Sequence, residues 1–208
     1  MVIQPALLVT LNVRKTLKLK TSMTRGEQIK TAVETLRNGG VILCPSDTIA
    51  SLSCDASDIQ ALKRIYKIKQ RPDSKSPIVL VSSLTMLEAY VSDIPEAAYQ
   101  IMEATEKPTT IIYSSVRNLP KEVMAEDGSV GIRHVSGGFI KDPIDRFRRP
   151  IISTSANESG DKSAVRVSDV DPIISKSVDL RIEIDEYLYE PSSVIKFNRD
   201  HSFKIIRK

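Results

Sequence analysis

The chain has 208 residues, 41% of them hydrophobic, no Trp and a formal net charge of +4. That length allows one well-buried α/β domain, and no apolar run approaches the ~18 residues that cross a membrane. Mild basicity points to an anionic partner such as RNA or a nucleotide, while Cys44 and Cys54, with no export signal ahead of them, are expected as reduced core thiols in a cytoplasm.

Residues 1–22 differ in character from the rest and are set apart as an N-terminal extension, leaving 23–208 as the domain. Thr24-Arg-Gly-Glu27 has the form of a capping box, and Ile29, Val33 and Leu36 follow on one helical face. Gly39-Gly40 ends that helix. Val41–Cys44 predicts a buried strand, and Ala50, Leu52 and Cys54 alternate in a second one after a polar loop. Ser57 or Asp58 caps the next helix. Its apolar stripe is Ile59, Leu62, Ile65 and Tyr66, with Lys63 and Lys67 on another face. Pro72 predicts an end near Arg71, with Lys69, Arg71 and Lys75 fanned around it.

A strand is expected at 78–81, then a helix carrying Leu84, Leu87 and Val91, and another with Pro95 in its first turn. Thr109–Tyr113 and Ser129–Arg133 predict strands, with Arg133 emerging at a strand end. Asp142-Pro143 starts a short helix with Ile144 and Phe147. Pro150–Ser153 predicts a strand that runs into Thr154-Ser-Ala-Asn157. Residues 178–184 alternate, and Ser193–Phe197 and Phe203–Ile206 form a hairpin about Asn198–His201. The whole predicts a single α/β domain, a twisted mixed parallel and antiparallel sheet flanked by helices.

Standard catalytic signatures are missing: no Walker loop, no G-x-G-x-x-G and no G-x-S-x-G elbow. Neither His134 nor His201 has a nucleophile partner in the sequence, and no metal-ligand spacing occurs. Two constellations remain. One is Lys69-Gln-Arg71 with Lys75. The other is Ser153-Thr-Ser-Ala-Asn157, just past a buried strand, where open α/β sheets place ligands. Hydroxyls and an amide beside cations suit phosphate or a nucleoside. Taken separately, the first also reads as a solvated basic face and the second as a local Ser/Asn turn.

Lys69-Gln-Arg71 and Ser155-Ala-Asn157 match the K-x-R and S-x-N pair of the YrdC-like family, the threonylcarbamoyl-AMP synthases. Gly39-Gly-Val-Ile-Leu-Cys-Pro-Ser-Asp-Thr48 resembles that family's G-G-V-I-x-x-P-T-D-T. Arg71-Pro-Asp-Ser-Lys75 is similar to its R-P-x-x-K, and Pro150–Gly160 to its P-I-x-S-T-S-A-N-x-S-G. The resemblance runs from about Gln28 to the end and implies the YrdC-like fold. It implies a nucleotidyltransferase that joins L-threonine, bicarbonate and ATP, with Mg²⁺ accompanying the triphosphate, and hands its product to a tRNA-modifying transferase. It carries the ATP contacts to Arg71, Lys75, Ser129, Ser155, Asn157, Ser163 and Arg207, the threonine contacts to Thr48, Arg133, Ser153 and Ser192, and the catalytic role to Lys69 and Arg71.

Three departures fall near the threonine side. Ala50-Ser51 stands where members have Tyr-Gly, Leu80 where His is common, and Lys107-Pro-Thr-Thr110 where they have P-G-P-x-T. They favour a second reading, a YciO-like paralogue that binds RNA or nucleotide without the synthase reaction. A carbamoyltransferase-type domain, as in hydrogenase maturation, is a third and weaker reading, because such domains sit in longer chains. RNA binding is expected to be weak, and no membrane association is expected.

Overall fold

Local signals in the sequence set most element ends. The structure is a computed structural model and describes residues 17–18, 23–70, 77–184 and 190–208. A two-residue strand, β1 (Leu17–Lys18), precedes the first helix. Thr24 caps α1 (Arg25–Arg37), and Glu27 reaches back to the Thr24 backbone, completing the expected capping box. Gly39, at φ +68°, turns the chain out of the helix into β2 (Ile42–Pro45). β3 (Ala50–Asp55) pairs antiparallel with β2, as the alternation predicts.

The Asp58 carboxylate accepts from the N–H groups of Gln60 and Ala61 and starts α2 (Ile59–Ile68). This helix stops short of Arg71. Lys69 is its C-cap, and Gln70 takes φ +48°, so the chain leaves the helix before the proline constraint acts. Arg71 and Lys75 lie outside the described residues. β4 (Ile78–Val81) follows as expected, then α3 (Leu84–Tyr90), capped by Ser83. Pro95 is the N-cap of α4 (Glu96–Ala104), one position earlier than predicted. β5 (Thr109–Tyr113), β6 (Val130–His134), α5 (Lys141–Phe147) and β7 (Ile151–Ser155) complete the middle of the domain.

The sequence reading missed α6 (Pro172–Lys176), a five-residue helix capped by Asp171. The alternating run at 178–184 forms only the short β8 (Leu180–Arg181). β9 (Ser193–Phe197) and β10 (Phe203–Arg207) make the predicted hairpin. Among the described residues, ten strands lie in the order β1-β8-β2-β3-β7-β4-β6-β5-β9-β10. Pairs β1–β8, β2–β8, β4–β6 and β5–β9 are parallel and the others antiparallel, which is the mixed sheet expected.

The strand period of two divides the sheet into two unlike faces. On one, Leu52, Cys54, Val79, Ile111, Ile132, Ile152 and Ile195 pack under α2, α3, α4 and α6. On the other, Ile42, Cys44, Leu80 and Ile151 pack against α1, α5, Phe139 and Ile140. Cys44 and Cys54 are buried and free, and burial pushes the Cys54 thiol up, as expected of core thiols. α1 and α5 cover only part of the second face. Beyond them the same face turns polar, and there the site lies. Among the described residues, no helix is long and apolar enough to cross a membrane.

Candidate functional site

The β2–β3 connection, Ser46–Ile49, forms one wall. Ser46 Oγ accepts from the N–H groups of Thr48 and Ile49 and donates to the Ile49 carbonyl, so one hydroxyl fixes the whole turn. Opposite it, the polar face of the sheet presents Ser51 on β3, Arg133 on β6, and Ser153 and Ser155 on β7. Thr48, Ser51, Arg133, Ser153, Ser155, Ser163, Ser192 and Arg207 line one cavity of about 210 Å³. That is smaller than the roughly 300–1,000 Å³ of common cofactor pockets. It suits a small polar molecule, or one end of a larger one.

Arg133 lies one residue before the end of β6, and it is buried there. Its side chain is 4% exposed, and Nη2 donates to Asp47 Oδ1 at 2.8 Å. The other side of the guanidinium, Nη1, is 3.3 Å from Thr110 Oγ1, and Nε is buried without a hydrogen-bond partner. Removing one member of such a buried pair costs about 3–5 kcal/mol, because it strands the other charge.

Arg207 reaches the cavity because β10 is irregular. Ile205 pairs with Ile195, but Arg207 pairs with Val194, so two residues of β10 advance for one of β9. Regular alternation would have put Ile206 opposite Val194 and turned Arg207 to the other face. In the bulged strand, Arg207 Nε donates to the Ser192 carbonyl at 2.9 Å.

Lys69 joins the two constellations that the sequence singled out. It is 2% exposed, and its ammonium donates to the carbonyls of Ser155 and Asn157, at 2.6 Å for the latter, and lies 3.5 Å from Asn157 Oδ1. The Asn157 amide donates to the carbonyls of Glu158 and Asp161, and its Oδ1 lies 3.5 Å from Ser163 Oγ. The pair therefore shapes the β7 loop from behind. Neither residue lines the cavity, where the expectation was a cation and an amide touching ligand.

Ser129 also lies elsewhere. It precedes β6 at the end remote from Arg133, and its N–H and hydroxyl both donate to Asp127 Oδ1. Lys196 bonds the same carboxylate, and that hydrogen bond, with those from Ser129, holds it well below the usual carboxylate range. Of the residues expected at the site, Thr48, Arg133, Ser153, Ser155, Ser163, Ser192 and Arg207 meet. Arg71 and Lys75 fall outside the described residues. The sequence reading missed Ser46, Asp47 and Thr110 as site residues. Asp47 and Thr110 sit inside segments already quoted, but only the pairing of β5 with β6 brings Thr110 beside Arg133.

The departures take definite places too. Ser51 adds a hydroxyl to the cavity. Leu80 is fully buried on the second face, paired in register with Arg133 and Ile151, so an apolar side chain adjoins the arginine. Among the described residues no group of three or more His, Cys, Asp or Glu is arranged to hold a metal.

A family model described as telomere recombination, covering Sua5, YciO and YrdC, matches residues 34–208. The chain is 30% identical over 144 residues to a threonylcarbamoyl-AMP synthase of Pseudoalteromonas translucida, covering 68% of this chain and 77% of that one. Its fold is similar to that of P. abyssi Sua5 complexed with L-threonine, with a TM-score of 0.76 at 24% identity. That match covers 88% of this chain but 54% of the other, so the chain spans about half the length of that protein. The fold is also similar to that of E. coli YciO, with a TM-score of 0.79 at 25% identity, covering 93% of this chain and 95% of that one.

Proposed function

The chain belongs to the Sua5/YciO/YrdC family, and from that premise we propose that it is a threonylcarbamoyl-AMP synthase, working in the cytoplasm and supplying a transferase that modifies tRNA. The observation that carries the reading is a hydroxyl-lined cavity whose wall includes two arginines, Arg133 and Arg207. Threonine and bicarbonate give a carbamate with loss of water. A carbamate oxygen then attacks the α-phosphorus of ATP, the bond to the β-phosphate oxygen breaks, and pyrophosphate leaves. This chemistry asks the protein to position reactants and stabilise charge, and it needs no protein nucleophile.

In this reading Arg133 binds the amino-acid carboxylate, with Thr48, Ser153 and Ser192 around it. Ser155, Ser163 and Arg207 face the nucleotide, with Arg71 and Lys75 completing the phosphate contacts. Lys69 and Asn157 act by holding the loop that carries Ser155. Ser129 has its hydroxyl committed to Asp127 and supports β6 rather than the nucleotide. Mg²⁺ enters with the triphosphate in this reading.

A second reading, a YciO-like protein that binds nucleotide or RNA, is favoured by two observations. The match spans nearly the whole of YciO, and Ser51 and Leu80 alter the amino-acid side. RNA binding in either case would be weak and salt-sensitive, since the net charge is only +4. Pyrophosphate release by purified protein, measured with each substrate omitted in turn, decides between them. The synthase requires both L-threonine and bicarbonate. ATP turnover indifferent to threonine sinks that reading and leaves the second.

A further inference from the structure

The two arginines of the cavity are joined by a row of side chains on the polar face of the sheet. Asp47 Oδ1 accepts from Arg133 Nη2 at 2.8 Å, and Arg133 Nη1 donates to Thr110 Oγ1 at 3.3 Å. Thr110 Oγ1 is 2.9 Å from Ser192 Oγ, and Arg207 Nη2 is 3.4 Å from that same oxygen. Strand register produces this row. Ile111 pairs with Ile132 and Ile112 with Gly131, which sets Thr110 across from Arg133, while Thr110 pairs with Val194 and Val194 with Arg207 on the other side.

We propose that Thr110 is a positioning residue for this site, setting the plane of the Arg133 guanidinium from one side while Asp47 sets it from the other. The inference rests on the synthase reading, because it treats Arg133 as the clamp for the amino-acid carboxylate. A guanidinium binds a carboxylate through two parallel N–H bonds, so its tilt matters as much as its charge. One contact leaves the plane free to turn about it; two on opposite edges fix it. Thr110 and Ser192 are 1% and 2% exposed, so neither hydroxyl is an idle surface group.

The hydroxyl protons can be assigned further. Both Oγ atoms accept from an arginine, so between them one donates and the other keeps a proton. Ser192 lines the cavity and Thr110 does not. Thr110 donating to Ser192 therefore leaves the Ser192 proton for a ligand oxygen. Space beside Thr110 depends on one glycine, Gly131, while a side chain at Gly138 would make only an ordinary contact with Asp47. A Cβ on Gly131 would meet Thr110 Cγ2 at 3.3 Å, and one on Gly138, itself at φ +77°, would lie 3.5 Å from Asp47 Cα.

Thr110→Val carries the test, since valine keeps the branched shape that suits a strand and removes only the hydroxyl. Thr110→Ser returns the hydroxyl, and Asp47→Asn, which strands a buried charge, serves only as a folded-state comparison. L-threonine binding is measured by calorimetry and, in parallel, KM for L-threonine and for ATP by pyrophosphate release. Thr110→Val should weaken L-threonine by about tenfold or more, as for a lost hydrogen bond to a charged group. KM for ATP should stay within about twofold, and Thr110→Ser should restore most of the threonine affinity. A Thr110→Val protein that binds L-threonine like wild type overturns the inference. So does an equal loss for both substrates with a lowered melting temperature, which marks a purely structural hydroxyl. Wild-type protein that binds no L-threonine overturns the synthase reading, and this inference with it.

Discussion

Lys69→Met separates two ways in which a buried cation can serve a site. Methionine retains an apolar stem of similar length and removes the ammonium. The carbonyls of Ser155 and Asn157, which accept from Lys69, then lose a charged donor inside the protein. A hydrogen bond to a charged group is worth about 1.5–3 kcal/mol. For a domain of this size that is a fall in melting temperature of roughly 3–12 °C. The freed loop carries Ser155 into the cavity, and a displacement of about 1 Å costs on the order of 10²-fold in rate. Thermal unfolding and threonine-dependent pyrophosphate release, measured on the same preparation, should therefore fall together. An inactive Lys69→Met protein with an unchanged melting temperature would refute this reasoning and make Lys69 a cation that acts on the ligand directly.

Two further outcomes follow from the sheet and its helices. Deleting Ile206 should regularise β10 and leave Arg207 opposite Val194, so turnover should stay within about threefold of wild type, whereas Arg207→Ala should lose on the order of 10²-fold; equal losses in a kinetic assay would show that the bulge itself is needed. Burial, with the nearby Lys141 charge, lowers the His134 pKa below 6.5, against a hydrogen bond from the ring to the Ser82 backbone that acts the other way. The unfolded chain then binds the proton more readily, so this stability is fully present above about pH 6.5 and is lost as pH falls through the folded pKa. Urea unfolding across that range should show a slope that His134→Gln flattens; an unchanged slope would exclude His134 as its source.

The fold was legible wherever a local signal coincided with a tertiary need. Thr24 and Glu27 bond to each other within four residues, so the start of α1 needed no knowledge of the rest. β4 and β5 read correctly because apolar, β-branched runs fit a buried strand. α2 misled because its end depends on a distant partner: Lys69 turns inward to carbonyls 86 and 88 residues away, and Gln70 leaves the helix beside it. β8 misled for the opposite reason. Residues 178–184 carry the alternation of a full strand, yet only Leu180 and Arg181 are paired as a strand, with β1 and β2, and the N–H groups of Asp179 and Ile182 add single bonds to the carbonyls of Val41 and Leu43.

The site was legible as a set of residues and illegible as an assignment of roles. Counting cations near Lys69 predicted a fan of positive charge, but charge count does not say which cation has been neutralised. Lys69 is occupied by backbone oxygen, and Arg133 is balanced by Asp47. The difference is energetic. A cation buried on carbonyls fixes a loop and has little left for a substrate, whereas an arginine held at two edges keeps further N–H groups in a fixed plane. Arg207, brought in by a bulge that composition and periodicity do not reveal, adds the second charge. Where α1 and α5 stop covering the sheet, the residues that would otherwise need apolar partners are Ser51, Ser153, Ser155 and Thr110. Ser51 Oγ donates to the Cys44 carbonyl and Thr110 Oγ1 lies 2.9 Å from Ser192 Oγ, and hydroxyls so placed can turn to a ligand without leaving a buried charge behind. That division of labour, fixed arginines among adaptable hydroxyls, suits a small cavity to an anionic ligand.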